Sequence, residues 1–228
     1  MNHKPSTIAS RFSLSEQVRN YILERIATGE FAPGHRIIEA RIAEDLHVST
    51  IPVREAIREL VAKRVLEYLV HRGARVREVS ILETVDALRV KAVLEALAAR
   101  TAGQRIMRFL PEMRRYVQPM EDSAVRHDFV EYQNQNQRFH RAIVEASGNQ
   151  ILLSVWDSLA FEVRTRFIMD YLHIVAPEEL AREHESILSA AESGDSEALA
   201  ANVTAHANRI VEHLEKQMSL NAASSEKT

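Results

Sequence analysis

The sequence predicts an all-α-dominated chain, with an N-terminal winged helix-turn-helix carrying a small β-hairpin wing and a C-terminal antiparallel bundle of about six helices. Three observations predict it. Apolar residues recur every three to four positions along most of the chain, the period of a helix face. Two short strand-like stretches, 65–70 and 74–76, flank the turn at His71, Arg72 and Gly73. After Glu78 only helix signals remain. The expected boundaries are 12–78 for the head and 79–219 for the bundle.

Composition narrows the function classes. A chain of 228 residues with 46% hydrophobic content suits two packed domains. There are no cysteines, which excludes a disulfide framework, thiolate metal sites and a cysteine nucleophile. No stretch reads as a secretion signal, and no apolar run approaches the ~20 residues that span a bilayer, so a soluble cytoplasmic protein without membrane contact is expected. The net charge of −3 is uneven: residues 1–78 hold 13 Lys and Arg against 10 Asp and Glu. A basic head on an acidic body points to the head as the part that meets a polyanion.

In the head, residues 1–12 read as a tail. Leu14, Val18, Ile22 and Ile26 mark an amphipathic helix ended by Gly29. A short helix follows from Glu39 to Leu46, then a third begins at the N-cap candidate Ser49, with Pro52 in its first turn, where a missing N–H is tolerated. Val53, Ile57, Leu60 and Val61 form the buried stripe of this third helix. Arg54 and Arg58 share another face, and Ser49 and Thr50 lie at the end suited to a DNA groove or a phosphate. The wing turn His71, Arg72 and Gly73, with Arg75 behind it, is placed for phosphates or the minor groove. On periodicity alone, pairing of these arginines with Glu55 and Glu59 on a solvated helix stands as an equal alternative.

The stretches Gly29-Glu30-Phe31-Ala32-Pro33-Gly34, Ile42 to Leu60 with its Pro52-Val53-Arg54-Glu55-Ala56 core, and Arg72-Gly73-Ala74-Arg75-Val76 together resemble the GntR family of bacterial regulators over residues 14–77. The resemblance implies a homodimer on a palindromic double-stranded operator, with Arg54 and the recognition-helix N-terminus (Ser49, Thr50, Pro52) touching DNA and the wing assisting. Thr50 and Ala40 stand where many members carry DNA-contacting arginines. Arg41 is the neighbouring candidate, turned about 100° from Ala40 around its helix.

The bundle helices are expected to open at Ser80 (with Glu83 as a capping box), Pro111, Asp128, Asn149, Pro177 and Asp195, and the last ten residues to be disordered. Polar residues fall on the inward stripes. Lys91 and Glu95 share the stripe of Leu88 and Ala98 on the first bundle helix; Asn136 and His140 share the stripe of Phe129, Gln133 and Ile143; His184 lies between Leu180 and Ile187; His206 lies between Val203 and Ile210. Several buried imidazoles need hydrogen bonds or a metal, so Asn136, His140, His184 and His206 are candidate ligands of a divalent ion such as Zn, Ni or Mn.

Phe139-His140-Arg141-Ala142-Ile143 with Ala146-Ser147-Gly148-Asn149, Glu183-His184, and Gly194-Asp195 leading to His206 resemble the C-terminal (FCD) domain of the FadR subfamily over residues 80–215. The resemblance implies an Asp and three His around a divalent metal beneath an effector pocket, with Asn136 here in place of the Asp. It also implies a small organic acid as effector. Lys91, Asn136 and Arg164 are the candidate effector contacts, Lys91 as a point charge for a carboxylate; an intrahelical pair with Glu95 is the competing role for Lys91. Trp156 and Phe161 read as core.

The expected function is a ligand-responsive DNA-binding transcription regulator, a repressor by preference, and not an enzyme. A metal-sensing regulator and a metallo-hydrolase are the alternatives. The hydrolase is disfavoured because no Glu or Asp is expected beside the ligands as a general base.

Overall fold

Ser13 opens the first helix as the sequence chemistry demands. Its hydroxyl accepts from the Glu16 N–H and the Glu16 carboxylate answers on the Ser13 N–H, a reciprocal cap that starts α1 (Leu14–Ala27). In this computed structural model the described residues are 13–69, 73–164, 168 and 172–225. The chain divides into two units, Met1–Arg77 and Glu78–Thr228.

In the first unit α2 (Glu39–Asp45) and α3 (Thr50–Ala62) follow α1. Val18 and Ile22 of α1, Ile42 of α2, and Val53, Ala56, Ile57 and Leu60 of α3 close on one another as the core. Val61 is only half-buried and Leu14 is exposed, so the two predicted stripes are narrower than the sequence suggested. The wing gains a strand that the sequence reading missed: β1 (Arg36–Ile37) joins β2 (Leu66–Leu69) and β3 (Gly73–Val76) in an antiparallel sheet of order β1-β3-β2. Two residues are too short for a periodic signal. Gly73 starts β3 at φ +81, a conformation that a side chain would strain.

The second unit contains six α-helices among the described residues: α4 (Ile81–Ala102), α5 (Leu110–Val125), α6 (Phe129–Ala146), α7 (Gln150–Asp157), α8 (Pro177–Ser193) and α9 (Ser196–Ser225). The expected caps are present. Asp128, Asn149 and Asp195 each accept backbone N–H bonds from the first turn that follows, and Pro177 opens α8. Ser80 accepts from the Glu83 N–H, but the Glu83 carboxylate turns to Arg164 instead of completing the box. The expected disorder near the chain end is corrected as far as Ser225, where α9 ends, because Ala222 and Ala223 extend a helix already nucleated; residues 226–228 lie outside the described residues.

Every inward stripe predicted for α4, α6, α8 and α9 is buried around one core centred on Phe139, Met113, Ile143 and Leu199, except that Asn136 is half-buried. Among the described residues no helix is long and apolar enough to cross a membrane.

Candidate functional site

Helices α6, α8 and α9 bring His140, His184 and His206 to one point. One nitrogen of each ring lies within 4.8 Å of the others, and all three residues are buried. Each Nδ1 is turned outwards to an oxygen. His206 Nδ1 meets Glu183 Oε2 at 2.5 Å, His184 Nδ1 meets the Leu180 carbonyl at 3.0 Å, and His140 Nδ1 lies 2.9 Å from Glu95 Oε2, out of line for a hydrogen bond. That leaves the Nε2 atoms as donors to a shared centre, the orientation that outer oxygens impose on metal-binding histidines. Asn136 completes the group, its Oδ1 2.8 Å from His184 Nε2.

Burial holds all three imidazoles below their ordinary pKa, with His184 and His206 well below, so the cluster is neutral and able to donate lone pairs. Buried His140 has no hydrogen-bond partner at either ring nitrogen among the described residues. Three imidazoles, an amide oxygen and an orphaned buried nitrogen fit a divalent ion of borderline softness.

Two carboxylates missed as site residues stand behind the ligands. Glu95 of α4 is fully buried. It takes the Lys91 ammonium (2.7 Å) and the Trp156 indole N–H (2.9 Å) on Oε1, with His140 at Oε2. Burial opposes its ionisation, but His140 and Lys91 prevail and hold it well below the usual carboxylate range. Glu183, behind His206, is also bound by Arg209 at 3.0 Å. Carboxylates therefore do stand beside the ligands, though the expectation concerned one placed as a general base. Both, however, face the outer Nδ1 atoms and not the shared centre. The i, i+4 spacing of Lys91 and Glu95 and the Glu183-His184 pair were the signals available.

Beside the cluster is a chamber lined by Leu88, Lys91, Tyr132, Gln133, Asn136, Gln137, Phe161, Ile168, Leu172, Leu180, His206, Ala207 and Ile210. Lys91 thus combines both roles weighed for it: it pairs with Glu95 and borders the chamber. Phe161 also lines the chamber, so it is more than core. Arg164 does not line it. The residue is buried, its guanidinium donates to the Leu159 and Ala160 carbonyls, and it pairs with Glu83 at 2.8 Å. Its assignment as an effector contact is corrected to that of a brace joining the end of α7 to α4. Arg166, a further anion candidate beside Arg164 in the sequence, lies outside the described residues.

In the head, Arg41 on α2 and Ser49, Arg54 and Arg58 at and along α3 are exposed, and Thr50, the first residue of α3, is half-buried. Arg54 pairs with Glu39 of α2 at 2.7 Å, and Glu59 binds Arg19 and Lys63, so the arginines are not held by Glu55 and Glu59 as the alternative required. Ser49 stands at the N-cap of α3 without a side-chain cap bond. Pro52 is among the buried residues of α3, and its assignment to the DNA-facing set is corrected: its side chain is turned away from the exposed face that carries Arg54 and Arg58. Ile51, 66% exposed beside it, is an outward apolar residue that the sequence reading passed over. Arg75 pairs across the sheet with Glu67 at 2.6 Å instead of lying open behind the wing turn. Gly73 is exposed; His71 and Arg72 lie outside the described residues.

Comparison with known proteins matches residues 14–76 to "Bacterial regulatory proteins, gntR family" and residues 86–209 to the FCD domain. The chain is 34% identical over 197 residues to a protein of Paenarthrobacter nicotinovorans named as a probable D-xylose utilization operon transcriptional repressor, covering 86% of this chain and 87% of that one. It is 22% identical over 200 residues to the HTH-type transcriptional repressor RspR of Escherichia coli K12, with coverage of 87% and 88%. Among solved structures, E. coli McbR/YncC superimposes with a TM-score of 0.75 at 25% identity, covering 91% of this chain and 99% of the other.

Proposed function

The chain belongs to the GntR family of bacterial regulatory proteins, and from that premise we propose that it is a FadR-subfamily regulator whose operator affinity answers to a small acid bound in the bundle. DNA binding and regulation of transcription come with the family and with relatives named as repressors; the FCD domain brings effector binding.

The head, residues 12–78, reads a palindromic operator as a homodimer. Arg54, Arg58, Arg41, Ser49 and Thr50 meet the major groove, with Ile51 available for a thymine methyl and the wing turn at Gly73 for the backbone. The dimer forms through residues 79–219. Val90, Val93 and Leu97 favour this reading, since they lie exposed at i, i+3 and i+7 on α4, an apolar stripe of the kind that marks an interface. A cytoplasmic regulator on nucleoid DNA, without enzymatic turnover, is the setting that this implies.

The observation that carries the sensing half is the turn of all three Nδ1 atoms to outer oxygens. His140, His184, His206 and Asn136 would hold Zn, Ni or Mn, and the ion would supply a positive site for an effector oxygen. Lys91 adds a second charge, and Gln133, Asn136 and Gln137 offer amides to hydroxyls. A hydroxylated carboxylate suits that set, in keeping with a relative named for a D-xylose utilization operon. Effector binding shifts the population of two bundle states that space the heads differently.

Selection from a random duplex pool tests the head: wild type should enrich a palindrome and Arg54→Ala should lose it. Failure of wild type to enrich any site sinks the operator reading. A thermal-shift screen of hydroxy acids with and without divalent ions tests the bundle, since a ligand at 100 Kd stabilises by about 2.7 kcal/mol.

A further inference from the structure

Glu95 has more partners than a neutralising role requires. A carboxylate kept only to neutralise a buried lysine would use one oxygen on Lys91. Here Oε1 serves both Lys91 Nζ at 2.7 Å and the Trp156 indole N–H at 2.9 Å, while Oε2 lies 2.9 Å from His140 Nδ1. Lys91 borders the chamber, and His140 belongs to the histidine cluster. The same fully buried carboxylate therefore touches the cation of one site and a ligand of the other.

We infer that Glu95 is a positioning residue that couples the chamber to the histidine cluster, its charge divided between Lys91 and His140. The inference rests on the reading of that cluster as a divalent-metal site. An anion in the chamber that draws Lys91 away leaves more of the Glu95 charge to the His140 ring, whose Nε2 becomes the stronger donor. Conversely, an ion held by His140 draws Glu95 towards the ring and releases the ammonium to the chamber. Metal and effector then raise each other's affinity by the same factor, as linkage requires. Trp156, the single tryptophan of the chain, is bonded to the same carboxylate and senses either event.

The test uses the full chain stripped with EDTA and titrated with Zn2+. Affinity is read by competition with a chromophoric chelator, alongside Trp156 emission. Wild type should bind Zn2+ with a change in emission. Glu95→Gln should bind about tenfold or more weakly, the usual loss when an outer partner of a metal-binding histidine is removed, and its emission should no longer respond. Lys91→Gln removes the competitor for the carboxylate and should tighten Zn2+ several-fold, an effect that should vanish in the Glu95→Gln background. A purely structural role lowers stability but tightens nothing. Glu95→Gln with wild-type affinity and emission response overturns the coupling and leaves the metal reading intact, whereas a wild type that takes up no Zn2+ overturns both. If circular dichroism shows Glu95→Gln unfolded, Lys91→Gln decides: tighter binding supports the coupling, and unchanged or weaker binding overturns it.

Discussion

Asn136 presents its amide oxygen 2.8 Å from Nε2 of His184, so the one amide of the cluster lies beside an imidazole donor and not off to one side. An amide oxygen contributes a dipole where a carboxylate would contribute a full charge. Asn136→Asp should therefore tighten Zn2+ or Mn2+ by about tenfold, roughly 1.4 kcal/mol, and Asn136→Ala should loosen it. Calorimetric titration of stripped protein checks both; equal affinity in all three proteins removes Asn136 from the ligand set.

Arg54 in the free head is held by Glu39 at 2.7 Å in an exposed pair, an arrangement worth about 0–1 kcal/mol. Glu39→Gln should leave stability within about 0.5 kcal/mol of wild type and tighten DNA binding at low salt by releasing the arginine. Arg54→Ala should cost about 1–3 kcal/mol of operator affinity and, if the contact is to phosphate, reduce the salt slope by about one. Fluorescence anisotropy across a salt series separates these outcomes.

The stripe on α4 gives a prediction with a plain readout. Val93 is 68% exposed, so Val93→Glu should leave helicity and the thermal transition of the bundle unchanged while splitting the proposed dimer. Light scattering after gel filtration measures the mass. A dimer that survives the substitution moves the interface elsewhere.

Acid should destabilise the metal-free protein. His184 and His206 are buried with lowered pKa values, so below their ordinary value near 6.5 the unfolded chain binds protons that the folded chain refuses. Glu95, also lowered, adds to the loss once the pH falls below about 4.5, since it remains ionised in the fold. Both contributions act in one direction. Melting temperatures from pH 7.5 to 5 should fall, with the first loss at pH 6.5 to 5. His206→Gln should flatten that limb of the curve, and an unchanged slope would count against the buried neutral imidazole.

Much of this was legible in the sequence because helices announce themselves. The 3.6-residue period located the stripes of Leu88, Lys91, Glu95 and Ala98 on α4 and of Leu180, His184 and Ile187 on α8, and all of these residues are buried. Caps such as Asp128 and Asn149 fixed helix starts through chemistry confined to four residues. Pairings across distance were hidden. Nothing local says that Arg164 will brace Glu83, 81 positions away, or that Trp156 will bond Glu95, because each depends on which helices pack together. The same holds for β1, defined by its partner β3 and not by its own two residues. Pro52 shows the opposite error: its place in the motif suggests an outward, DNA-facing side chain, while helix geometry turns it inward.

Ser49 leads to the last consequence. A serine at an N-cap ordinarily ties down one of the four orphan N–H groups of the first turn, worth about 1 kcal/mol, yet here its hydroxyl makes no such bond. Helix α3 is consequently left one acceptor short at its exposed N-terminal end. A backbone phosphate of the duplex can supply that acceptor, so DNA would finish the helix as well as be read by it. Ser49→Asp, which fills the vacancy with the helix's own carboxylate, should make the free head more stable and a poorer binder, a trade between folding and recognition set within a single turn.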